Sequence, residues 1–241
     1  MKAISSLFVA LCGLTFALMA GSSAEQRVSV ALVLAIDASG TVDSEEFDLQ
    51  ARGLMEAFRH PDVIAAIEAT GGIAVAVVQW SGRGQQVVAV DWTQVADEVS
   101  SSALAARIQA SGRRLIGGTT VIDRALLFCV QLLGNSPFQS DRKVIDLSGD
   151  GKTNYGPPPD MARNRAVAAG ITINGLAILN EAADLAEYYR KHVVGGPGSF
   201  LMTARDYRDF ATAIRLKLIR EILYSAVAAR PPATTGRTAR T

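Results

Sequence analysis

Four runs of this chain, Val28 to Ile36, Ile73 to Trp80, Val144 to Leu147 and Ile171 to Ile178, are apolar almost without interruption and rich in Val and Ile. A strand with one face in water alternates apolar and polar residues, whereas a strand covered on both faces reads as a continuous apolar run. Such strands belong in the middle of parallel sheets, where neighbours are joined by crossovers of about a dozen residues or more. Helical patterns fill the intervals: Ser44 to Arg59, with Phe47, Leu54, Met55 and Phe58 on one side, then Val63 to Ala69, Ser102 to Ala110, Val121 to Leu133 and Pro159 to Ala169. The order is β-α-β, repeated.

The remaining pieces fit the same plan. Gln85 to Asp91, after the turn-like Ser81-Gly82-Arg83-Gly84, reads as an antiparallel hairpin partner of the Ile73 strand. Glu181 to Lys191 reads as a helix and Ser199 to Met202 as a short last strand. Tyr207 to Tyr224 reads as a long helix whose Phe210, Ile214, Leu218 and Ile222, at spacings of four, form a stripe that closes the flank of the sheet. The expected fold is α/β: a doubly wound, mostly parallel sheet of about six strands, one of them an antiparallel edge, with helices on both faces. One domain, residues 25–227, holds all of these elements.

The ends are different in kind. Lys2, an apolar stretch from Ala3 to Ala20, and Ser22-Ser23-Ala24 follow one another as the charged, apolar and small-residue zones of a secretory signal peptide, expected over residues 1–24 with cleavage after Ala24 or Ala20. The protein is therefore expected in the periplasm or outside the cell, touching a membrane only through that segment. Leu11 stands before Cys12 where a lipoprotein would want a small residue. Beyond the signal only Cys129 remains, inside an apolar run, so a buried thiol is expected and no intrachain disulfide. Residues 228–241, with Arg230, Arg237 and Arg240 among Pro, Thr and Gly, read as a disordered basic tail. A net charge of +1 argues against nucleic acid as a partner.

Oxygen-bearing side chains gather where strands end. The first strand runs into Asp37-Ala38-Ser39-Gly40-Thr41, with a carboxylate and two hydroxyls at alternate positions. Asp146-Leu147-Ser148-Gly149-Asp150-Gly151 ends another, and Gly117-Gly118-Thr119-Thr120 is a tight loop before a helix. In open α/β sheets ligands bind in the crevice outside the carboxyl ends of the strands. Hard cations such as Mg²⁺ take oxygen ligands in octahedral geometry and keep several waters, which this donor set suits. The same residue types also perform ordinary turn capping, and the residues alone leave both readings open.

Asp37-x-Ser39-x-Thr41, then Gly-Gly-Thr-Thr, then Ser-Gly-Asp-Gly after a strand resembles the metal-ion-dependent adhesion site of von Willebrand factor A domains. Thr41 stands where the family usually has Ser, Thr120 (or Thr119) matches its middle Thr, Asp150 its last Asp, and Gly149 stands where many members have Thr. Through Leu34 to Gly40, Val78 to Gly82, Val144 to Gly151 and Ala168 to Leu176 the chain is similar, more narrowly, to an exported bacterial von Willebrand factor A-like family of undefined function. The resemblance implies one divalent ion, Mg²⁺ or else Mn²⁺ or Ca²⁺, with Ser39, Thr41 and Thr120 touching it and Asp37 and Asp150 acting mainly through water. It also implies a protein partner whose Asp or Glu carboxylate completes the coordination, and hence a binding module rather than an enzyme. A metal-dependent hydrolase, with Asp146 as the only evident base, and a structural subunit whose metal merely stiffens loops are the alternatives.

Other signals have plainer explanations. Gly149 to Thr153 has Asp146 where a phosphate-binding loop needs its first Gly, so no nucleotide is expected. Ser39 sits where a phosphotransferase built on Asp37 would carry a second carboxylate. His60 and His192 lie beside helix ends, away from the oxygen-rich turns, and form no Ser-His-Asp arrangement. Asp146 either orients the loop from behind or is a structurally satisfied buried acid. Tyr155-Gly156-Pro157-Pro158-Pro159 stiffens the entry to the next helix at the rim of the crevice.

Overall fold

A computed structural model describes residues 27–228, with only the backbone given for 225–228. The expected signal segment and, apart from Ala228, the expected tail lie outside the described residues. Six strands form one sheet in the order β3-β2-β1-β4-β5-β6: β1 Arg27–Asp37, β2 Ile73–Trp80, β3 Gln86–Val95, β4 Gln139–Gly149, β5 Ile171–Ile178 and β6 Leu201–Ala204. All neighbours are parallel except β2 and β3, which pair antiparallel through an irregular register between Val75 and Val78. β2 and β5 are buried along their whole length, as their unbroken apolar sequences require.

Successive residues of β1 feed two separate cores. Val30, Leu32, Leu34 and Ile36 pack against α1 (Ser44–Arg59), α2 (Pro61–Ala69), α3 (Glu98–Ser111) and α7 (Phe210–Ala228). Ala31, Val33 and Ala35 face α4 (Ile122–Gly134), α5 (Asp160–Ala168) and α6 (Leu185–Tyr188). The stripe Phe210, Ile214, Leu218 and Ile222 is fully or almost fully buried on the first of these faces. β1 hands the chain to β2 on one side, while β4 lies on its other side and leads to β5. The connections thus diverge between β1 and β4, and a crevice opens there at the strands' carboxyl ends. Among the described residues no helix is long and apolar enough to cross a membrane.

Two expectations need correction. Glu181 to Lys191 is not one regular helix: α6 lasts four residues and widens into a π-helical turn, Tyr189–Val193, closed by Val194 N–H donating to Tyr189 O at 2.9 Å. The wider turn lets Tyr189 and Val193 both reach the core, where neither is exposed. The last helix begins at Phe210 rather than Tyr207, because Asp206 Oδ1 accepts from the backbone N–H of Arg208 and Asp209, both at 2.9 Å, and holds a turn there.

Candidate metal centre

β1 ends at Asp37, and Asp37 Oδ1 accepts the Ser39 N–H at 2.8 Å, which folds the following turn back over the strand end. The Asp37 carbonyl is held from α1 by Gln50 Nε2 at 3.1 Å. Helix α1 starts right after this turn behind a reciprocal cap, Asp43 Oδ1 accepting Glu46 N–H at 2.8 Å and Glu46 Oε2 accepting Asp43 N–H at 2.9 Å. The second loop closes on the first through Gly40 N–H and Gly118 O, 2.9 Å apart. A side chain at Gly40 would meet that carbonyl, since its Cβ would lie 2.8 Å from the oxygen. Asn154, from the loop after β4, brackets Thr120, its Oδ1 accepting Thr120 N–H at 2.8 Å and its own N–H donating to Thr120 O at 3.0 Å.

These constraints bring all five expected residues together. Thr120 Oγ1 lies 3.3 Å from Ser39 Oγ, Ser39 Oγ lies 3.3 Å from Thr41 Oγ1, and Thr41 Oγ1 donates to Asp150 Oδ1 at 2.9 Å. Four oxygens from three loops thus form a continuous row. Thr41 is exposed, whereas Asp37, Ser39, Thr120 and Asp150 are buried, so the row meets solvent at Thr41. Thr119 is exposed beside it and Ser81 Oγ donates to Gly117 O at 2.7 Å, supporting the loop from β2.

The electrostatics are unbalanced. Asp37 Oδ2 and Asp150 Oδ2 are buried and accept no hydrogen bond of good geometry, although the Tyr207 hydroxyl faces Asp150. Burial first, and the neighbouring Asp150 second, push the Asp37 carboxyl up to about 7; burial likewise raises Asp150. Two buried carboxylates held this close favour a proton or a cation between them. The one guanidinium that eases Asp37, Arg113, spends its donors on the turn's backbone, on Ala38 O, Val42 O and Asp43 O at 3.2, 2.9 and 3.0 Å. Among the described residues no group of three or more His, Cys, Asp or Glu is arranged to hold a metal, so the donors available here are mixed hydroxyls and carboxylates.

Arg113, Gln50, Asn154 and Tyr189 were invisible as site residues in the sequence. Tyr189 brings its hydroxyl to the Asp37 side of Gly149: a Cβ there would lie 2.7 Å from Asp37 Oδ2 and 2.8 Å from that hydroxyl. Asp146 belongs elsewhere. It lies four residues before Asp150, roughly 13 Å at strand rise, on the α7 side of β4, with Lys217 Nζ 2.6 Å from its Oδ1. Its place fits the reading of a buried structural acid, paired through Oδ1 while its Oδ2 accepts no hydrogen bond of good geometry. His60 caps α2 and His192 lies 2.9 Å from Asp160, both away from the oxygen row.

The family described as "Protein of unknown function (DUF1194)" matches residues 27–226. The chain belongs to that family. Its fold is the von Willebrand factor A fold, as comparison with solved structures shows. Proximal thread matrix protein 1 of the mussel byssus superposes with a TM-score of 0.58 at 20% identity, over 84% of this chain and 49% of that one. A von Willebrand factor type A protein from Catenulispora acidiphila gives 0.57 and 20%, over 80% and 42%. The von Willebrand factor domain of the type V pilus tip protein Mfa5 from Porphyromonas gingivalis gives 0.58 and 12%, over 86% and 98%. The chain thus spans about half the length of the mussel protein, which has also been solved with zinc occupying its metal-ion-dependent adhesion site. No curated protein matches the chain in sequence.

Proposed function

We propose that this protein is an exported binding module that takes up one divalent cation, Mg²⁺ or in its place Mn²⁺ or Ca²⁺, at Asp37, Ser39, Thr41, Thr120 and Asp150, and recognises a carboxylate on a protein partner. The observation that carries the reading is the row Thr120-Ser39-Thr41-Asp150, with separations of 2.9 to 3.3 Å. Adjacent ligands in an octahedron with Mg–O bonds of about 2.1 Å stand about 3 Å apart, so the row has the spacing of an octahedral edge. When bound, the cation supplies positive charge and an exchangeable coordination position to an acidic group. Ser39, Thr41 and Thr120 contribute neutral oxygens, Asp37 and Asp150 carry the counter-charge, and Gln50, Asn154 and Arg113 keep the three loops in register.

The known structures support a binding role by analogy: a pilus tip protein shares the fold, and the mussel protein holds zinc at the corresponding type of site. The hydrolytic alternative has less to support it, since Asp146, its named base, lies on the α7 side of β4 with Lys217 Nζ 2.6 Å from its Oδ1. Titration calorimetry of the chelator-treated protein with MgCl₂ and MnCl₂ tests the metal half, with uptake expected in the parent and not in Asp150→Ala. A pull-down from envelope extract tests the other half. Retention of the same proteins with and without chelator would sink the adhesion reading.

A further inference from the structure

Beside Thr120 two clefts run together along the flank of α4. The nearer, of about 170 Å³, lies between Arg83, Asp123, Tyr155 and Gly156; the farther, of about 320 Å³, is mainly apolar and lies between Leu127, Pro158, Met161 and Arg165. Asp123 and Pro157 border both, so the two form one track that begins a residue from the oxygen row. Its walls carry exposed apolar groups that a folded surface ordinarily covers: Tyr155 is 55% exposed and Met161 83%.

We propose that this track is a docking groove for an extended acidic segment of a partner protein, whose apolar side chain enters between Leu127, Pro158 and Met161. The anchoring of that segment by a carboxylate rests on the metal reading above; the groove itself rests on its own geometry.

Three observations define the occupant. First, Asp123 is 4% exposed, yet its Oδ1 accepts no hydrogen bond; it faces the track past Gly156, whose Cβ would lie 4.0 Å away. A buried acceptor left unpaired is a cost that a slight opening of the Gly156 loop around a backbone N–H of an extended peptide would relieve. Second, the charge has a direction. Arg83 and Arg165 are exposed on the track and ion-pair with no described residue, while Arg124 Nε lies 3.4 Å from Asp123 Oδ2. Away from α4 a third cleft is lined by Asp43, Glu45, Glu46 and Asp206 against the single cation Arg208. An acidic segment is repelled there and attracted along the α4 side. Third, the long flexible thioether of Met161 beside rigid Pro157 and Pro158 suits a pocket that receives one apolar side chain of variable shape.

The geometry also sets a spacing. From Thr120 to Leu127 the chain takes a short loop step and then about 7 Å of helix from Ile122, a span that an extended peptide covers in about three or four residues. The experiment is a selection of a random heptapeptide phage library on the immobilised full chain in MgCl₂, followed by anisotropy measurements on the most enriched peptide made synthetically with fluorescein.

The expected peptide carries Asp or Glu and, about three or four positions away, Leu, Ile, Met or Phe. Replacing that apolar residue by Ala should weaken binding about tenfold or more, as loss of one buried side chain does. Met161→Glu and Arg165→Glu, both surface changes, should weaken the parent peptide similarly, and the Ala peptide should lose nothing further on Met161→Glu. Mg²⁺ uptake by the same variants, measured alongside, separates the groove from the metal. Peptides that need Mg²⁺ but show no apolar preference and bind Met161→Glu as tightly as the parent overturn the groove and leave the metal reading standing. Peptides that Met161→Glu abolishes but that bind equally in chelator uphold the groove and overturn the metal reading. Absence of any enriched peptide overturns the proposal.

Discussion

Lys217 Nζ lies 2.6 Å from Asp146 Oδ1 and 2.7 Å from Glu221 Oε1, with all three side chains buried at the junction of β4, β5 and α7. Asn174 of β5 donates to Glu221 Oε1 at 2.8 Å, and Arg142 Nη1 donates to the Glu221 carbonyl at 3.1 Å. One ammonium therefore serves two carboxylates, and it fixes the rotation of α7 over the sheet. Lys217→Met removes the cation and leaves both acids in the core. Breaking a buried pair in this way costs about 3–5 kcal/mol, and the expected result is a matching drop in the urea unfolding midpoint. Replacement of Lys217, Asp146 and Glu221 together by apolar residues should cost much less, because no charge is then stranded.

The same cluster gives a pH dependence with a definite sign. Burial, followed by the Glu221 charge, raises Asp146 above the ordinary carboxylate range, while Lys217 opposes the rise. An acid whose folded pKa exceeds its unfolded one binds more protons when native, so its contribution to stability falls as pH rises between the two values. In Lys217→Met the opposing cation is gone and the fall is steeper. Unfolding midpoints of parent and variant should therefore converge toward pH 4 and separate toward pH 8; a gap that narrows with rising pH would contradict the assignment.

How much of this was legible in the sequence depends on the range of the signal. Runs such as Ile73 to Trp80 and Ile171 to Ile178 declare central strands by themselves, and Ser44–Arg59 has the expected bounds, its start held by Asp43 and Glu46 in reciprocal capping positions. Of the oxygen row, Asp37, Ser39 and Thr41 alternate in one turn after a strand and Asp150 follows another, while Thr120, in a loop between two helices, is marked by the resemblance to the adhesion site. Arg113 was not legible, since nothing local tells that its guanidinium crosses to Ala38 and Val42, more than 70 residues away. Lys217 sits one residue from Leu218 on the buried stripe, and a helical Lys normally extends its charge to water; only Asp146 on a distant strand makes burial tolerable. The Glu181 to Lys191 helix misled because a π-helical turn has no sequence period of its own.

Cys129 provides a check on the packing of α4 against the sheet. Burial pushes its thiol up to about 12, and it is fully buried among Ala125, Leu126 and Leu133. The thiolate is the reactive form, so at pH 8 the folded protein should present almost none of it. In a Cys12→Ser chain, Ellman's reagent should label fewer than one thiol in ten over an hour in buffer and all of it at once in denaturing guanidinium chloride. Rapid labelling in buffer would mean that α4 opens locally.

Gly149 is the point at which the fold and the candidate centre make opposing demands. Its missing side chain leaves room for Asp37 Oδ2, for the Tyr189 hydroxyl and, at 3.1 Å from the would-be Cβ, for Trp80 Cζ2. The Asp37 oxygen and the tyrosine hydroxyl are both buried without a hydrogen bond of good geometry, and burial first, then the negative charges of Asp37 and Asp150, hold the hydroxyl strongly in its protonated form. A methyl group at 149 must displace one of them, and overpacking of this kind costs about 1–3 kcal/mol. Gly149→Ala should therefore lower the unfolding midpoint and weaken Mg²⁺ uptake, since the group most easily moved is the Asp37 carboxylate. Tyr189→Phe removes the nearer of the two uncharged obstacles. In the Gly149→Ala/Tyr189→Phe double variant the ring can shift without stranding a hydroxyl, and part of both losses should return. Strictly additive losses in the double variant, measured by denaturant unfolding and by Mg²⁺ calorimetry, would show that Tyr189 and residue 149 do not compete for the space beside Asp37.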